Sequence, residues 1–418
     1  MYLFAIIAIT LMLFFYIKSL YENATYLKYN DFSDDNNRNK HKNSILLVCS
    51  NNGPGGGVTH IINLFNSLRE QNTNVHILTK KTSATAEYLN KNKISFYECN
   101  STIFRFLGIR IQSGYFLIKK ICKNHRINVI HFNEAKELKI AKMLSKNLDK
   151  KIVFTRHVPL SSKTKAKYIK NADIIIGVSS YISNGFCKKN TEENLKIKKI
   201  THIPPLMNDK KFKNFKPSKD KLEFFRDKLG IQLSETSIII CFIANMYKDP
   251  MHKNHHVLFR ALKLLISKNK YAIHLMLAGD GVGKTSLMKL AEELSIKNNV
   301  HFLGFTKEIP SIIYHSNINV LSSSKEAFGL VVLEAAFMKK TSIVTQGIGA
   351  NDLIKHNETG LIFRNNDETD LVEKIETLIK DPVLCKKLGE NAYKIAEENF
   401  SGEILAKKHI GLYQEICS

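Results

Sequence analysis

From residue 44 onward, short apolar runs alternate with segments of helical periodicity. "ILLVCS", "NVHILTK", "ISFYEC", "NVIHFN", "KIVFTRH" and "ADIIIGVS" are the strands expected of a first series. Strands separated by helices imply βαβ units and a parallel sheet with helices on both faces. A Pro- and Lys-rich connector, "THIPPLMNDKKFKNFKPSKD" from Thr201 to Asp220, interrupts the alternation. It then restarts with "SIIICFIAN", "IHLMLAGD", "NVHFLGF", "INVLSSS", "TSIVTQG" and "GLIF". The expected fold class is therefore α/β, two Rossmann-like domains facing a central cleft, with ligands at the carboxyl ends of the strands. From Asp381 the chain reads as helical with a break at "NFSGE", a tail expected to pack back across the domains. The expected divisions are residues 44–206, 207–395 and a final segment 396–418.

The chain starts differently. "MYLFAIIAITLMLFFYI", Met1 to Ile17, carries no charge and is at the short end of the roughly 17–25 residues that span a bilayer. A secretory signal has a basic start and a small-residue cleavage site, and this segment has neither. Residues 1–17 are read as a retained anchor, with a surface-lying or re-entrant segment as the alternative. Lys18, Lys28, Arg38, Lys40 and Lys42 all follow it, which puts the body on the cytoplasmic side of the inner membrane. Residues 18–43 are polar and read as a flexible linker.

Composition narrows the class further. The 418 residues are 44% hydrophobic and 24% charged, a globular balance, and their number points to more than one domain. Seven cysteines with no C-x-x-C pair fit a reducing compartment and imply no zinc site. An excess of 62 Lys+Arg over 38 Asp+Glu gives a net charge of +24. Such a charge attracts phosphates, nucleic acid or an anionic membrane. Richness in Lys, Asn and Ile with no Trp equally fits a biased genome composition.

One segment imitates a nucleotide-binding loop. "LMLAGDGVGKTSLMKL" ends on Gly283-Lys284-Thr285, as a P-loop does. The pattern G-x-x-x-x-G-K-[ST] needs a glycine where Ala278 stands, so the loop is one residue short. Lys284 is read as a solvated helix residue.

The most informative stretch is "SSSKEAFGLVVLEAAFMKKTSIVTQGIGANDLIKHNETGLIF". Glu326 and Glu334 lie eight positions apart around the start of a helix whose first turn holds Phe328, Gly329 and Leu330. Backbone N–H groups of Gly329 and Leu330 at a helix start form an anion site, and glycine lets a phosphate approach closely. This stretch resembles the E-x7-E region of the GT-B retaining glycosyltransferases of family 4. The resemblance runs from Ser44 to the end and is strongest from Ser237 to Phe363.

That resemblance implies roles for individual residues. Glu334 falls at the position that holds the ribose hydroxyls, and a carboxylate accepts well from a diol. Glu326 falls where the family's glutamate reaches the donor sugar. "SNNGPGGGVTHIINL" places Gly56 and Gly57 in the turn that lies against the donor, and "FTRHVP" places His157 at the family's sugar-contacting histidine. "CFIANMYKDPMHKNHHVLFRAL" matches the phosphate clamp, with Lys253 at the family's lysine and Lys248 as the nearest cation to its missing arginine. The implied catalytic residues are His157, Glu326 and Lys253. The implied donor-binding residues are Gly56, Gly57, Lys248, Lys253, Phe328, Gly329, Leu330 and Glu334.

The function so implied is retaining transfer of a sugar from a nucleotide-sugar donor to a saccharide acceptor. Anchor and basic charge point to a lipid-linked saccharide in envelope glycan synthesis. No cofactor and no metal are expected, and there is no D-x-D ligand pair. The expected partners are the donor, the saccharide acceptor and the membrane, with no nucleic acid, because the basic residues are dispersed and no recognition motif appears. The alternatives are a nucleotide-sugar epimerase or hydrolase of the same fold and an inactive membrane-surface binding subunit.

Overall fold

The computed structural model describes residue 12 and residues 43–418, leaving aside 51–54, 100–102, 107–108, 136, 139–140, 142–143, 145–147, 160–168, 170, 194–196, 249–251 and 269–270. The expected anchor and linker thus lie outside the described residues, but for Met12 and Asn43. Among the described residues no helix is long and apolar enough to cross a membrane. The chain divides into two compact units. Residues through Gly177, Ser183–Leu206 and Leu405–Ser418 make the first, and Val178–Ile182 with Met207–Ile404 make the second.

The first unit runs β1 (Ser44–Cys49), α1 (Gly56–Glu70), β2 (Asn74–Lys80), α2 (Ala84–Lys91), β3 (Tyr97–Cys99), β4 (Ile103–Phe106), β5 (Ile109–Gln112), α3 (Ser113–Asn124), β6 (Val129–Phe132), β7 (Lys151–Arg156), β8 (Ile174–Gly177), α4 (Ser180–Glu193) and β9 (Lys199–His202). Its sheet has the order β3-β2-β1-β6-β7-β8-β9 and is parallel at every pairing. All six residues of β1 are buried, as expected of a strand covered on both faces. Ile45, Leu47 and Cys49 share a core with Val58, Ile61, Phe65 and Leu68 of α1, whose spacing of three and four puts them on one helix face.

The second unit repeats this plan. It contains β10 (Ile238–Ile243), α5 (His255–Ser267), β11 (Ile273–Ala278), α6 (Lys284–Glu293), β12 (Val300–Gly304), α7 (Ile309–His315), β13 (Ile318–Leu321), α8 (Leu330–Phe337), β14 (Ser342–Thr345), β15 (Leu361–Phe363), α9 (Glu368–Lys380) and α10 (Pro382–Phe400). Its parallel sheet has the order β12-β11-β10-β13-β14-β15. The helix ends follow local chemistry: Asp367 accepts from the Asp370 N–H to start α9, and Asp381 caps α10 just before Pro382. A last helix, α11 (Gly402–Cys417), carries the chain out of the second unit and back into the first.

The α/β class with two parallel sheets stands as expected. Two features depart from the expected strands. A β4–β5 antiparallel hairpin stands apart from the main sheet, and β9 extends the sheet edge and runs into the start of the stretch read as connector. β9 has no fully buried residue, so it lacks the apolar run that marks the others.

The P-loop look-alike is explained by packing. A Cβ on Gly279, Gly281 or Gly283 would lie 2.0, 2.2 and 2.2 Å from the carbonyl oxygens of Ala244, Met246 and Tyr247. Three glycines therefore let the turn after β11 press on the backbone after β10, and they are not arranged to wrap a phosphate. Lys284 opens α6 and is half-buried.

Candidate functional site

In each sheet the strand order reverses once, between β1 and β6 and between β10 and β13, and the segments leaving those strands are where a ligand sits in such sheets. In the second unit this place is built from the turns after β10 and β13.

Helix α8 has the sequence "LVVLEAAF" and is apolar all round but for Glu334, so it is buried on most sides. Gly329 caps it in the left-handed region at φ 89°. A Cβ there would stand 2.7 Å from Cδ2 of Leu321. Conformation and space both require glycine. The first helical bond runs from the Val332 N–H to the Gly329 carbonyl, so the helix supplies no acceptor for the N–H groups of Gly329 and Leu330. Both residues are partly exposed.

Lys253 comes from the other turn and meets the same place. The Ser322 hydroxyl, one residue past β13, donates to the carbonyls of Lys253 and Asn254 at 3.1 and 3.2 Å. Asn254 is fully buried in the left-handed region at φ 60°, and its Nδ2 donates to Asn366 Oδ1 at 2.7 Å. Thus held, Lys253 places Nζ 2.5 Å from Glu326 Oε2 across 73 residues of sequence. The same oxygen accepts from the Ser323 hydroxyl at 3.3 Å, and the Glu326 carbonyl accepts from the Gly349 N–H at 3.0 Å. His255, behind the lysine, is pushed down to about 4 by burial and by Lys253, so it adds no charge near neutral pH.

Glu334 lies deeper in α8. Burial pushes its carboxyl up to about 7, with Lys211 pulling the other way. Among the described residues its side chain has no hydrogen-bond partner. Phe328 and Lys248 stand apart from this group. The Phe328 ring is buried against Phe400, with centroids 5.8 Å apart, so its side chain supports the turn from beneath. Lys248 is exposed.

The first unit offers a different surface. Gly56 and Gly57, expected in the loop after β1, form the first turn of α1. His157 stands just beyond β7, and its Nε2 is 2.7 Å from Asn133 Oδ1. Burial, then the neighbouring Arg156, pushes the His157 ring down to about 3. His60 of α1 lies beside it, with ring centroids 4.9 Å apart, and is likewise driven well below the ordinary histidine value by burial. His131 and His409 extend the group and are also held low by burial.

Two further residues here escaped the sequence reading. Asn133 follows β6 directly, and its Nδ2 donates to the Gly57 carbonyl at 3.1 Å. Buried Glu137 accepts from the Ser50 and Glu134 N–H groups at 2.6 and 3.0 Å. Burial pushes its carboxyl up to about 8. The available signal was position: both follow the strand at which the first sheet reverses.

Among the described residues no three His, Cys, Asp or Glu side chains are grouped so as to hold a metal. The second unit presents a cation, a helix start and a shielded carboxylate, which together suit an anion and a diol. Two parallel sheets of the same winding, one carrying such a site, define an α/β protein of two Rossmann-like units.

Comparison with known proteins agrees. Residues 54–209 match the family model described as Glycosyltransferase Family 4, and residues 223–395 match Glycosyl transferases group 1. A putative glycosyltransferase EpsD of Bacillus subtilis is 31% identical over 171 residues, 41% of this chain and 43% of that protein. A capsular polysaccharide biosynthesis glycosyltransferase CapM of Staphylococcus aureus is 28% identical over 204 residues, 48% of this chain and 51% of that one. The chain thus spans about half the length of these curated relatives. A crystal structure of a glycosyltransferase from Rickettsia africae superposes with a TM-score of 0.77 at 25% identity, covering 90% of this chain and 98% of the other. Between them the two models match most of the chain, which is of the GT-B, family 4-like glycosyltransferase kind.

Proposed function

We propose that the protein is a retaining glycosyltransferase that moves a sugar from a nucleoside-diphosphate-sugar to a saccharide acceptor. The observation that carries this reading is the meeting of Lys253 and Glu326 at 2.5 Å beside the Gly329 helix start. The bond between the anomeric carbon and the diphosphate breaks with its electron pair leaving on the diphosphate oxygen. Lys253 and the N–H groups of Gly329 and Leu330 face that growing charge as preorganised donors. The acceptor hydroxyl attacks the same face of the sugar, and its proton passes to the departing oxygen. Glu334 accepts from the ribose diol, and Glu326 holds Lys253 and positions the donor sugar; within the first unit, Gly56, Gly57 and His157 bind sugar hydroxyl groups. Lys248 adds a weaker positive charge. With the leaving group stabilised in this way the reaction needs no metal, and a chelator should leave the rate unchanged.

We further propose that the acceptor is a lipid-linked saccharide of envelope glycan synthesis, met at the cytoplasmic face of the membrane. The apolar run Met1 to Ile17, the net charge of +24 and the likeness to a capsular polysaccharide enzyme support this. Full activity on a soluble acceptor with none on lipid-linked saccharide would overturn it. The test of the central reading is a donor screen: UDP-, GDP- and ADP-sugars are offered and slow release of nucleoside diphosphate is followed, with Glu334→Ala as control. Release from one donor, lost in the variant, is expected; no release from any donor would sink the proposal.

A further inference from the structure

Asn133 is 2% exposed and anchored where the first sheet reverses, because its backbone N–H donates to the Val48 carbonyl at 3.0 Å. Its side chain meets the Gly57 carbonyl at 3.1 Å, Cys49 Sγ at 3.5 Å and His157 Nε2 at 2.7 Å. A carbonyl oxygen can only accept, so the amide end facing Gly57 is the nitrogen. The amide oxygen is then left for His157, and it too can only accept. Nε2 of His157 must therefore carry the hydrogen, and in a neutral ring Nδ1 is then a bare lone pair.

The ring is neutral across the working range. Burial, then Arg156, pushes it down to about 3. The Arg156 guanidinium itself turns toward the carbonyls of Val158 and Pro159, at 2.8 and 3.2 Å. On the α1 side His60 faces the ring, and its Nδ1 accepts from the Leu206 N–H at 3.1 Å.

We propose that Asn133 is a positioning residue: it locks His157 in the Nε2–H tautomer, so that Nδ1 is a fixed acceptor for a sugar hydroxyl, and ties that ring to the first turn of α1. The hydroxyl as ligand rests on the transferase reading, whereas the tautomer rests on the hydrogen bonds alone. One amide thus sets both the protonation pattern of the histidine and its place relative to Gly57. Glutamine has the same groups on a longer stem and would not span both contacts.

Two measurements on the full chain test this. Long-range ¹H–¹⁵N spectra of histidine-labelled protein without substrate report each ring's tautomer, with His157→Gln assigning the signal. His157 is expected wholly as Nε2–H in the wild type and as a mixture in Asn133→Ala. A wild-type Nδ1–H tautomer, or an unchanged spectrum in Asn133→Ala, overturns the proposal. In kinetics, Asn133→Ala should lower donor turnover by about tenfold to a hundredfold, as for other groups that orient a functional imidazole. Asn133→Asp keeps the shape but stabilises the imidazolium, so turnover at saturating donor should gain an acid limb between pH 5 and 8 that the wild type lacks. A profile merely lowered at every pH would mean that Asn133 is structural and would overturn its role. If the wild type turns over no donor, the transferase reading falls, while the ring spectra still decide the tautomer.

Discussion

The two units share one winding but place opposite chemistry at the ends of their strands. Beyond β1 and β7 the first unit holds neutral imidazoles, with burial pushing His157 down to about 3 and holding His60 low. Beyond β10 and β13 the second unit holds Lys253, Glu326 and the start of α8. A repeated scaffold therefore does not imply a repeated site. The neutral surface suits hydroxyl groups and the charged one suits a diphosphate, and each follows from a few residues just past the strands.

The sharpest way to break this contrast is to remove the cation. Lys253→Ala is expected to lower turnover by about 100- to 1,000-fold, the cost of losing one electrostatic donor, with a far smaller change in melting temperature. An unchanged rate in the purified variant would remove Lys253 from the mechanism. Next in size is Gly329→Val, which meets both the positive φ and the 2.7 Å approach of Leu321. It should cost about 2 kcal/mol of stability and weaken donor binding, read by urea unfolding and by titration with nucleoside diphosphate.

Glu334→Gln probes the shielded carboxylate. Its carboxyl is pushed up to about 7, so the anion that accepts two hydroxyls forms as pH rises through that value. Donor KM in the wild type should fall from pH 6 to pH 8, and the glutamine variant should show a KM about tenfold higher at pH 8 with no such slope. The folded state binds this proton more tightly than the unfolded chain, so the group's contribution to stability declines from about pH 4.5 to 7. The variant should therefore melt higher than the wild type above pH 7, and a lower melting point there would count against the raised proton affinity of this half-buried carboxyl.

The smallest effect belongs to the first unit. His409 is fully buried and pushed down to about 4 by burial. A depressed histidine gives stability that is complete above the unfolded value near 6.5 and is lost as pH falls toward 4. His409→Leu should narrow the gap between the melting temperatures at pH 8 and pH 5; an equal or wider gap would assign the acid sensitivity elsewhere.

Much of the fold was legible because parallel strands buried on both faces are continuous apolar runs, as "ILLVCS" and "IIICFI" are. The β4–β5 hairpin and β9 escaped for the complementary reason: Arg105 and Arg110 interrupt the one, and "KITH" has no apolar run. Single candidate residues were legible where a stretch such as "KEAFGLVVLE" keeps its parts close in sequence. The contact of Lys253 with Glu326 and the amide link from Asn133 to His157 join distant segments, so only the folded chain brings them together. Glu334 was visible as a residue, but its raised proton affinity was not, since that depends on what covers it.

The return of the last helix has a consequence for how the protein is made. Leu405, Ala406, Leu412 and Tyr413 belong to the core of the first unit, and Tyr413 binds His131 through its hydroxyl at 2.6 Å. These residues are synthesised only after all of Met207–Ile404. At ordinary translation rates the ribosome takes roughly 10–40 s to cross that span. For that time the first sheet emerges with part of its apolar face uncovered, so the first unit is completed only after the second has been made.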